Sequence, residues 1–415
     1  MAAAVVVVIT TTLVVVLGFG GGSGGGGHGH AALPDPLPRI GPSARPVALE
    51  WTPVTPPADG TFTALASGPS GTVAVGSSGS PNVRAADPPP TPTIWFSADG
   101  ATWQPVHTEA PEPRGPLGWR VVTLRDVHAV GGRFVVTASV DDPVEHTSAA
   151  LFVSDDGRSW ARVDPAQFAP TTDNRPNTRK RGTYNSTIYD VTGRGAQIVV
   201  LGEVYANSRT PSGLMAATWT SRDGLTWDRR LADLGDGFDP YFTSGAVRGS
   251  TLLASGRMGR FPAIMWRTRD LRRWTSQDLT GGDGIATVES VGRSLFAAGG
   301  VLAGPFERQA GQPTIWWSRD GRDWVPVLRL GRLRSGTRHL GTTFNAGAAT
   351  GRLALALAPY RDSRPQALFA SRDGRTWSRA ARVPAGIPGI GLRVIGTGTD
   401  AVYVRGVGLW RVTAP

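Results

Sequence analysis

Short apolar runs recur along the chain, and clusters of Gly, Pro, Asn and Asp separate them. No stretch of useful length carries the 3.6-residue period of a helix, so the pattern predicts strands and tight turns. One run, aliphatic and often closed by glycine, ends at Gly76 as TVAVG and returns around Phe134, Ile198, Leu252, Leu295, Leu353 and Val402. Just ahead of it lies another short run with a tight glycine-bearing turn, as in residues 127–132, 191–195 and 288–292. Behind it comes a third run built on an aromatic residue: Trp95, Phe152, Trp219, Trp266, Trp316 or Phe369. That run leads into a segment found six times, as SADGATW to Trp103, SDDGRSW to Trp160, SRDGLTW to Trp227, TRDLRRW to Trp274, SRDGRDW to Trp324 and SRDGRTW to Trp377. Asp-Gly between two apolar runs is a strong hairpin signal, since Gly takes positive φ without steric cost and Asp closes the turn with its side chain. Leu271 stands where the other copies have Gly, which predicts a strained or longer turn there.

A repeated unit of four strands in about fifty residues is the signature of a β-propeller blade. Six hairpins accompany seven glycine-closed runs, and the chain ends explain the mismatch. Leu409-Trp410 matches Ile94-Trp95, a third strand, but the chain stops at Pro415 before a fourth. Near the start, Trp51-Thr-Pro-Val54 matches Trp103-Gln-Pro-Val106, a fourth strand. The expected fold is therefore all-β: a seven-bladed β-propeller over residues 47–415, closed by pairing of the N-terminal strand with the C-terminal blade, which removes open sheet edges. Residues 21–46 read as a Gly/Pro-rich linker. Residues 1–20, apolar and without a charged side chain, read as a signal peptide or membrane anchor, placing the propeller outside the cytoplasm, secreted or membrane-anchored.

Charge changes the picture little. The net charge is +11, and Lys180 is the only lysine, so arginine supplies nearly all of it. The dense stretches at 175–181 and 329–338 lie in loops without interleaved aromatics, whereas a nucleic-acid binder concentrates charge beside stacking rings. Nucleic acid is not the expected partner; long-range attraction favours anionic ones such as acidic glycans. Zero cysteines exclude disulfides, thiol nucleophiles and thiolate metal sites. His28 and His30 sit in a flexible Gly-rich stretch without a preorganised surrounding, so no metal and no cofactor is expected.

The repeated Ser-x-Asp-Gly-x-Thr-Trp resembles the Asp-box, or BNR repeat, of sialidase-like propellers, one residue shorter than the usual Ser-x-Asp-x-Gly-x-Thr-Trp. The resemblance implies a structural hairpin between third and fourth strands, in which Asp99, Asp156, Asp223, Asp270, Asp320 and Asp373 accept backbone N–H bonds. It also implies that Trp103, Trp160, Trp227, Trp274, Trp324 and Trp377 pack at the outer rim. In a sialidase it further implies three arginines for the substrate carboxylate, a Tyr–Glu nucleophile pair and an Asp acid. Arg39-Ile40 departs from this, lying in the linker rather than on an inner strand, and the family's enzymes have six blades.

Long connections, such as 77–92, 107–122, 164–187 and 328–343, all emerge on one face, where binding is expected around a central channel. The candidate ligand groups there are Arg120, Tyr184, Glu203, Tyr205, Tyr241, Arg257, Arg338 and Tyr360, with Asp141, Asp142, Glu145 and His146 nearby in sequence. Glu203 and Tyr205, two apart on one strand, share a face and are the catalytic candidates. The expected function is non-catalytic binding of a protein or glycan; the alternatives are a sialidase-like glycoside hydrolase (an exo-α-sialidase) and an envelope assembly factor.

Overall fold

The computed structural model describes residues 39–79, 90–108, 120–141, 147–168, 186–205, 214–234, 240–258, 264–279, 282–303, 310–331, 333–334, 344, 346–358, 367–380, 383–384, 393–397, 400–405 and 408–415. The expected signal or anchor, residues 1–20, lies outside them. Among the described residues no helix is long and apolar enough to cross a membrane.

Strand β1 (Glu50–Val54) precedes a first unit of β2 (Gly60–Gly68), β3 (Gly71–Ser78), β4 (Thr91–Ser97) and β5 (Gln104–Thr108). The second unit is β6 (Arg120–Val130), β7 (Arg133–Asp141), β8 (Thr147–Ser154) and β9 (Ala161–Arg162), followed by a single 3-10 turn at Pro165–Phe168. The third is β10 (Thr187–Arg194), β11 (Gln197–Tyr205), β12 (Leu214–Ser221) and β13 (Asp228–Leu231). The fourth is β14 (Pro240–Arg248), β15 (Thr251–Met258), β16 (Ile264–Thr268) and β17 (Thr275–Asp278). The fifth is β18 (Gly282–Val291), β19 (Ser294–Ala303), β20 (Ala310–Ser318) and β21 (Val325–Arg329), with β22 (Leu333–Arg334) also on β20. The sixth is β23 (Ala346–Ala349), β24 (Ala354–Leu357), β25 (Leu368–Ser371) and β26 (Ser378–Arg379). The chain ends with β27 (Arg393–Thr397), β28 (Ala401–Arg405) and β29 (Leu409–Thr413), and β1 pairs antiparallel with β29 from Glu50↔Thr413 to Val54↔Leu409.

The innermost strands contact one another in the order β2, β6, β10, β14, β18, β23, β27. Strand β27 meets β2 again through a short parallel pairing, Leu65↔Gly396 and Ala66↔Thr397. This nearly all-β arrangement of small sheets is that of a β-propeller-like molecule. Ahead of β1, residues 39–49 cross the outer edges of two other units. Ile40 and Arg329 exchange backbone hydrogen bonds of 3.1 and 2.9 Å, Ser43 N–H donates to Trp377 O (2.6 Å), and Val47 N–H donates to Ser378 Oγ (2.9 Å). Residues 39–46, read as the end of a linker, are thus bonded to the sheets.

The glycines that close the second strands have a physical cause. In the first, third and fourth units the innermost strand bulges opposite them, at Phe62↔Gly76, Ile188↔Gly202 and Phe242↔Gly256. There the carbonyls of Thr61, Thr187 and Tyr241 approach so closely that a Cβ would lie within 1.9–2.1 Å of them. Only glycine fits.

Of the hairpin tryptophans, Trp227, Trp324 and Trp377 are buried, and Trp103, Trp160 and Trp274 are half-buried. Trp103 meets Phe62 at 4.8 Å between ring centroids, Trp274 meets Phe242 at 5.2 Å, and Trp377 meets Phe296 at 5.1 Å. Such rings bury large apolar areas, and truncating one to Ala costs roughly 3–5 kcal/mol.

Candidate functional site

Residues from all the innermost strands line one cavity of about 380 Å³, among them Thr63, Arg125, Tyr189, Thr243, Ala286, Gly347 and Gly396. Bulges shape it. Register shifts follow Phe62, Leu124, Ile188, Phe242 and Ile285, so the extra residues are Thr63, Arg125, Tyr189, Thr243 and Ala286. An unpaired bulge residue re-aims its side chain, and all five reach the cavity. The next residue in each strand also lines it: Ala64, Asp126, Asp190, Ser244 and Thr287. Several of these stitch neighbouring units together. Gly245 N–H donates to Asp190 Oδ2 (2.6 Å), Val288 N–H to Ser244 Oγ (3.2 Å), and Thr243 Oγ1 to the Ile285 carbonyl (2.9 Å).

Part of the wall is acidic. His128 lies between Asp126, 3.7 Å from Nε2 to Oδ2, and Asp190, 3.8 Å from Nδ1 to Oδ1. Burial raises the Asp190 carboxyl above its usual range, against the pull of His128 and of the Gly245 N–H. Burial also pushes Glu289 up to about 8, and the charges of Asp190 and Asp126 add to it, while the Thr287 hydroxyl donates to Glu289 at 3.2 Å and opposes it. In a chain of net charge +11 this cluster runs against the overall sign. Among the described residues no group of His, Asp and Glu is arranged to hold a metal ion.

Within the same lining, the Tyr189 hydroxyl donates to Glu203 Oε1 at 2.7 Å. The Tyr241 ring lies beside Tyr189, with centroids 5.8 Å apart and planes tilted 35°. Burial, Glu203 and Tyr241 together push the Tyr189 phenol well above the usual tyrosine range, making it a weaker acid; Arg125 opposes them and loses. The phenol therefore stays protonated at neutral pH.

Of the residues singled out from sequence, Glu203 and Tyr241 come together here, joined through Tyr189. Arg257 is the cross-strand partner of Tyr241, Tyr205 ends β11 opposite Leu214, and Arg120 begins β6 opposite Asp141. Tyr184, Arg338, Tyr360, Asp142, Glu145 and His146 lie outside the described residues. Sequence reasoning missed Tyr189, Arg125, Asp126, His128, Asp190 and Glu289. Their signal was a stutter in the strand alternation, apolar-x-polar-apolar, in Leu124-Arg125-Asp126-Val127 and Ile188-Tyr189-Asp190-Val191.

The hairpin aspartates lie on the opposite ends of the units. Asp223 Oδ1 accepts the N–H groups of Leu225 (2.9 Å) and Thr226 (2.8 Å) and the Ser221 hydroxyl (2.9 Å), and Ser221 Oγ accepts Gly224 N–H (2.8 Å). Asp99, Asp156 and Asp373 repeat the pattern. Asp270 receives the N–H groups of Arg272 and Arg273, and Asp320 that of Arg322. Glycine occupies the left-handed position at φ 70–78° in five hairpins, while Leu271 holds it at 60°, with its side chain buried in the core.

No family model matches the chain, and no curated protein matches it. Among solved structures it is similar to a Dyadobacter fermentans protein of unknown function, with 13% identity over 88% of this chain and 98% of that one and a TM-score of 0.42. It is also similar to Trypanosoma rangeli sialidase, with 11% identity over 84% of this chain and a TM-score of 0.44, and spans 54% of that enzyme's length. A third is Penicillium chrysogenum α-L-arabinanase complexed with arabinobiose, with 14% identity over 74% and 92% of the two chains and a TM-score of 0.42.

Proposed function

We propose that the protein is a closed, seven-bladed propeller, exported or membrane-tethered, that binds a glycan or protein partner without catalysis at the mouth of its channel. The observation that carries this reading is Tyr189, which lines a cavity of about 380 Å³ while its hydroxyl bonds to Glu203 and its ring lies beside that of Tyr241. Aromatic faces and a few convergent polar groups around a concave site are what ligand recognition requires. Sugar rings stack on such faces while their hydroxyls bond to carboxyl and guanidinium groups, and a single arginine among the described lining residues favours a neutral glycan here over an anionic one.

Two observations weigh against hydrolysis. A tyrosine nucleophile must lose its proton, and the surroundings of Tyr189 hold the proton on. Arg125 is the sole arginine among the described lining residues, where a sialidase-type site would use three. The hydrolase reading keeps one support, the 2.7 Å Tyr189–Glu203 bond, and would make Tyr189 rather than Tyr205 its nucleophile. An envelope assembly role would use the same face for a protein.

The deciding experiment titrates the whole protein with neutral oligosaccharides by intrinsic fluorescence and, in parallel, assays a fluorogenic sialoside. Binding that weakens about tenfold in Tyr241→Ala, without fluorophore release, supports the proposal. Turnover abolished by Tyr189→Phe overturns it.

A further inference from the structure

Four hairpins set their glycine against the preceding unit: Gly157 against Phe96, Gly224 against Val153, Gly321 against Leu253 and Gly374 against Val291. Two of the grooves between them are open cavities: about 370 Å³ between the second and third hairpins, and about 530 Å³ between the fourth and fifth. They are built from equivalent positions with opposite chemistry. The smaller is lined by Val153, Asp155, Ser159 and Leu225; at the same places the larger has Arg267, Arg269, Arg273 and Arg322. In the smaller groove Asp155, Asp156 and Asp223 outnumber Arg133, whose Nε pairs with Asp155 Oδ1 at 2.6 Å. In the larger, four arginines face only Asp270 and Asp320. Both of those carboxylates already accept backbone N–H bonds in their turns. Arg267 Nε donates to Thr275 Oγ1 at 2.8 Å, and neither it nor Arg269 or Arg273 forms an ion pair with a described carboxylate.

We propose that the groove between the fourth and fifth hairpins binds an acidic polysaccharide through its sulfate or carboxylate groups. Guanidinium groups are planar forks that hold oxyanions bidentately, and four of them in one groove repel each other until an anion enters. Among the described residues no aromatic ring lines this groove, so they offer no platform for stacking nucleobases. The groove lies on the short-turn ends of the units, away from the channel mouth, and the inference stands independently of the function proposed there.

The sister groove supplies the test. In the full-length protein, Arg267→Val, Arg269→Asp, Arg273→Ser and Arg322→Leu together install residues that the same scaffold carries between the second and third hairpins. Fluorescence anisotropy with a labelled sulfated oligosaccharide, at about 50 and 200 mM salt, should show at least about tenfold weaker binding and a shallower salt dependence. A control with the same change in formal charge, Arg45→Ser, Arg222→Ser, Arg379→Ser and Arg352→Asp, should stay within about threefold of the unsubstituted protein, separating the groove from general attraction. The converse variant, Asp155→Arg, Ser159→Arg and Leu225→Arg, should raise the amount bound and keeps the test open if the first variant fails to fold. Equal weakening in the swap and the control overturns the proposal, and so does tighter binding of a single-stranded oligonucleotide of the same charge.

Discussion

The same functional group behaves in opposite ways in two parts of this molecule. The hairpin aspartates are exposed or half-buried yet strongly acidic: Asp156 and Asp270 are lowered to about 2, because backbone N–H groups of their own turns point at the carboxylate. Asp373 is lowered too, although burial works against it, through the N–H groups of Thr376 and Arg375. In the channel, Glu289 and Asp190 move the other way, since burial and neighbouring like charges outweigh the few donors that reach them. The lesson is that a carboxylate's charge is set by the balance between its burial and the donors that face it: donors win in the hairpins and burial wins in the cavity. Hairpin carboxylates stabilise the fold as anions; channel carboxylates burden it as anions.

The largest test of this contrast removes a hairpin anion. Asp373→Ala strands the N–H groups of Arg375 and Thr376 and the Ser371 hydroxyl, and should cost roughly 2–4 kcal/mol in urea unfolding at neutral pH. Next comes Glu289→Gln. The folded-state value of Glu289 is raised from 4.5 to about 8, so its effect is absent below pH 4.5 and destabilisation grows as pH rises to about 8. The amide should therefore gain roughly 1–3 kcal/mol above pH 8 and nothing at pH 4; a gain that is the same at both would sink the assignment. The smallest effect is acid sensitivity through a single hairpin. The value for Asp156 is depressed from 3.8 to about 2, so its contribution is complete above 3.8 and fades as pH falls to about 2. Asp156→Asn should erase that part of the acid slope, measured by denaturant midpoint against pH.

The two regions were not equally legible. A hairpin is written within seven consecutive residues, so Asp-Gly turns and their tryptophans show in the sequence at once, and the Trp51 to Val54 match already paired the two chain ends. The channel is assembled from Asp126, Asp190 and Glu289, each on a different strand and separated by about sixty to a hundred positions. Their convergence depends on ring geometry that no local pattern records. Period-two reasoning also linked Glu203 to Tyr205 along one strand, whereas the bulge at Tyr189 delivers a phenol from the neighbouring strand. The arginine groove escaped notice for a similar reason: its members look like scattered surface charge until two hairpins are laid side by side.

Residues 39–54 touch the fifth unit at Arg329, the sixth at Trp377 and Ser378, and then β29 in succession. Tension applied at the start of the chain would therefore reach these attachments one after another, peeling them like a zip rather than shearing them together. A tug from that end should release the Ile40 contact first at low force, and the strand against β29 last.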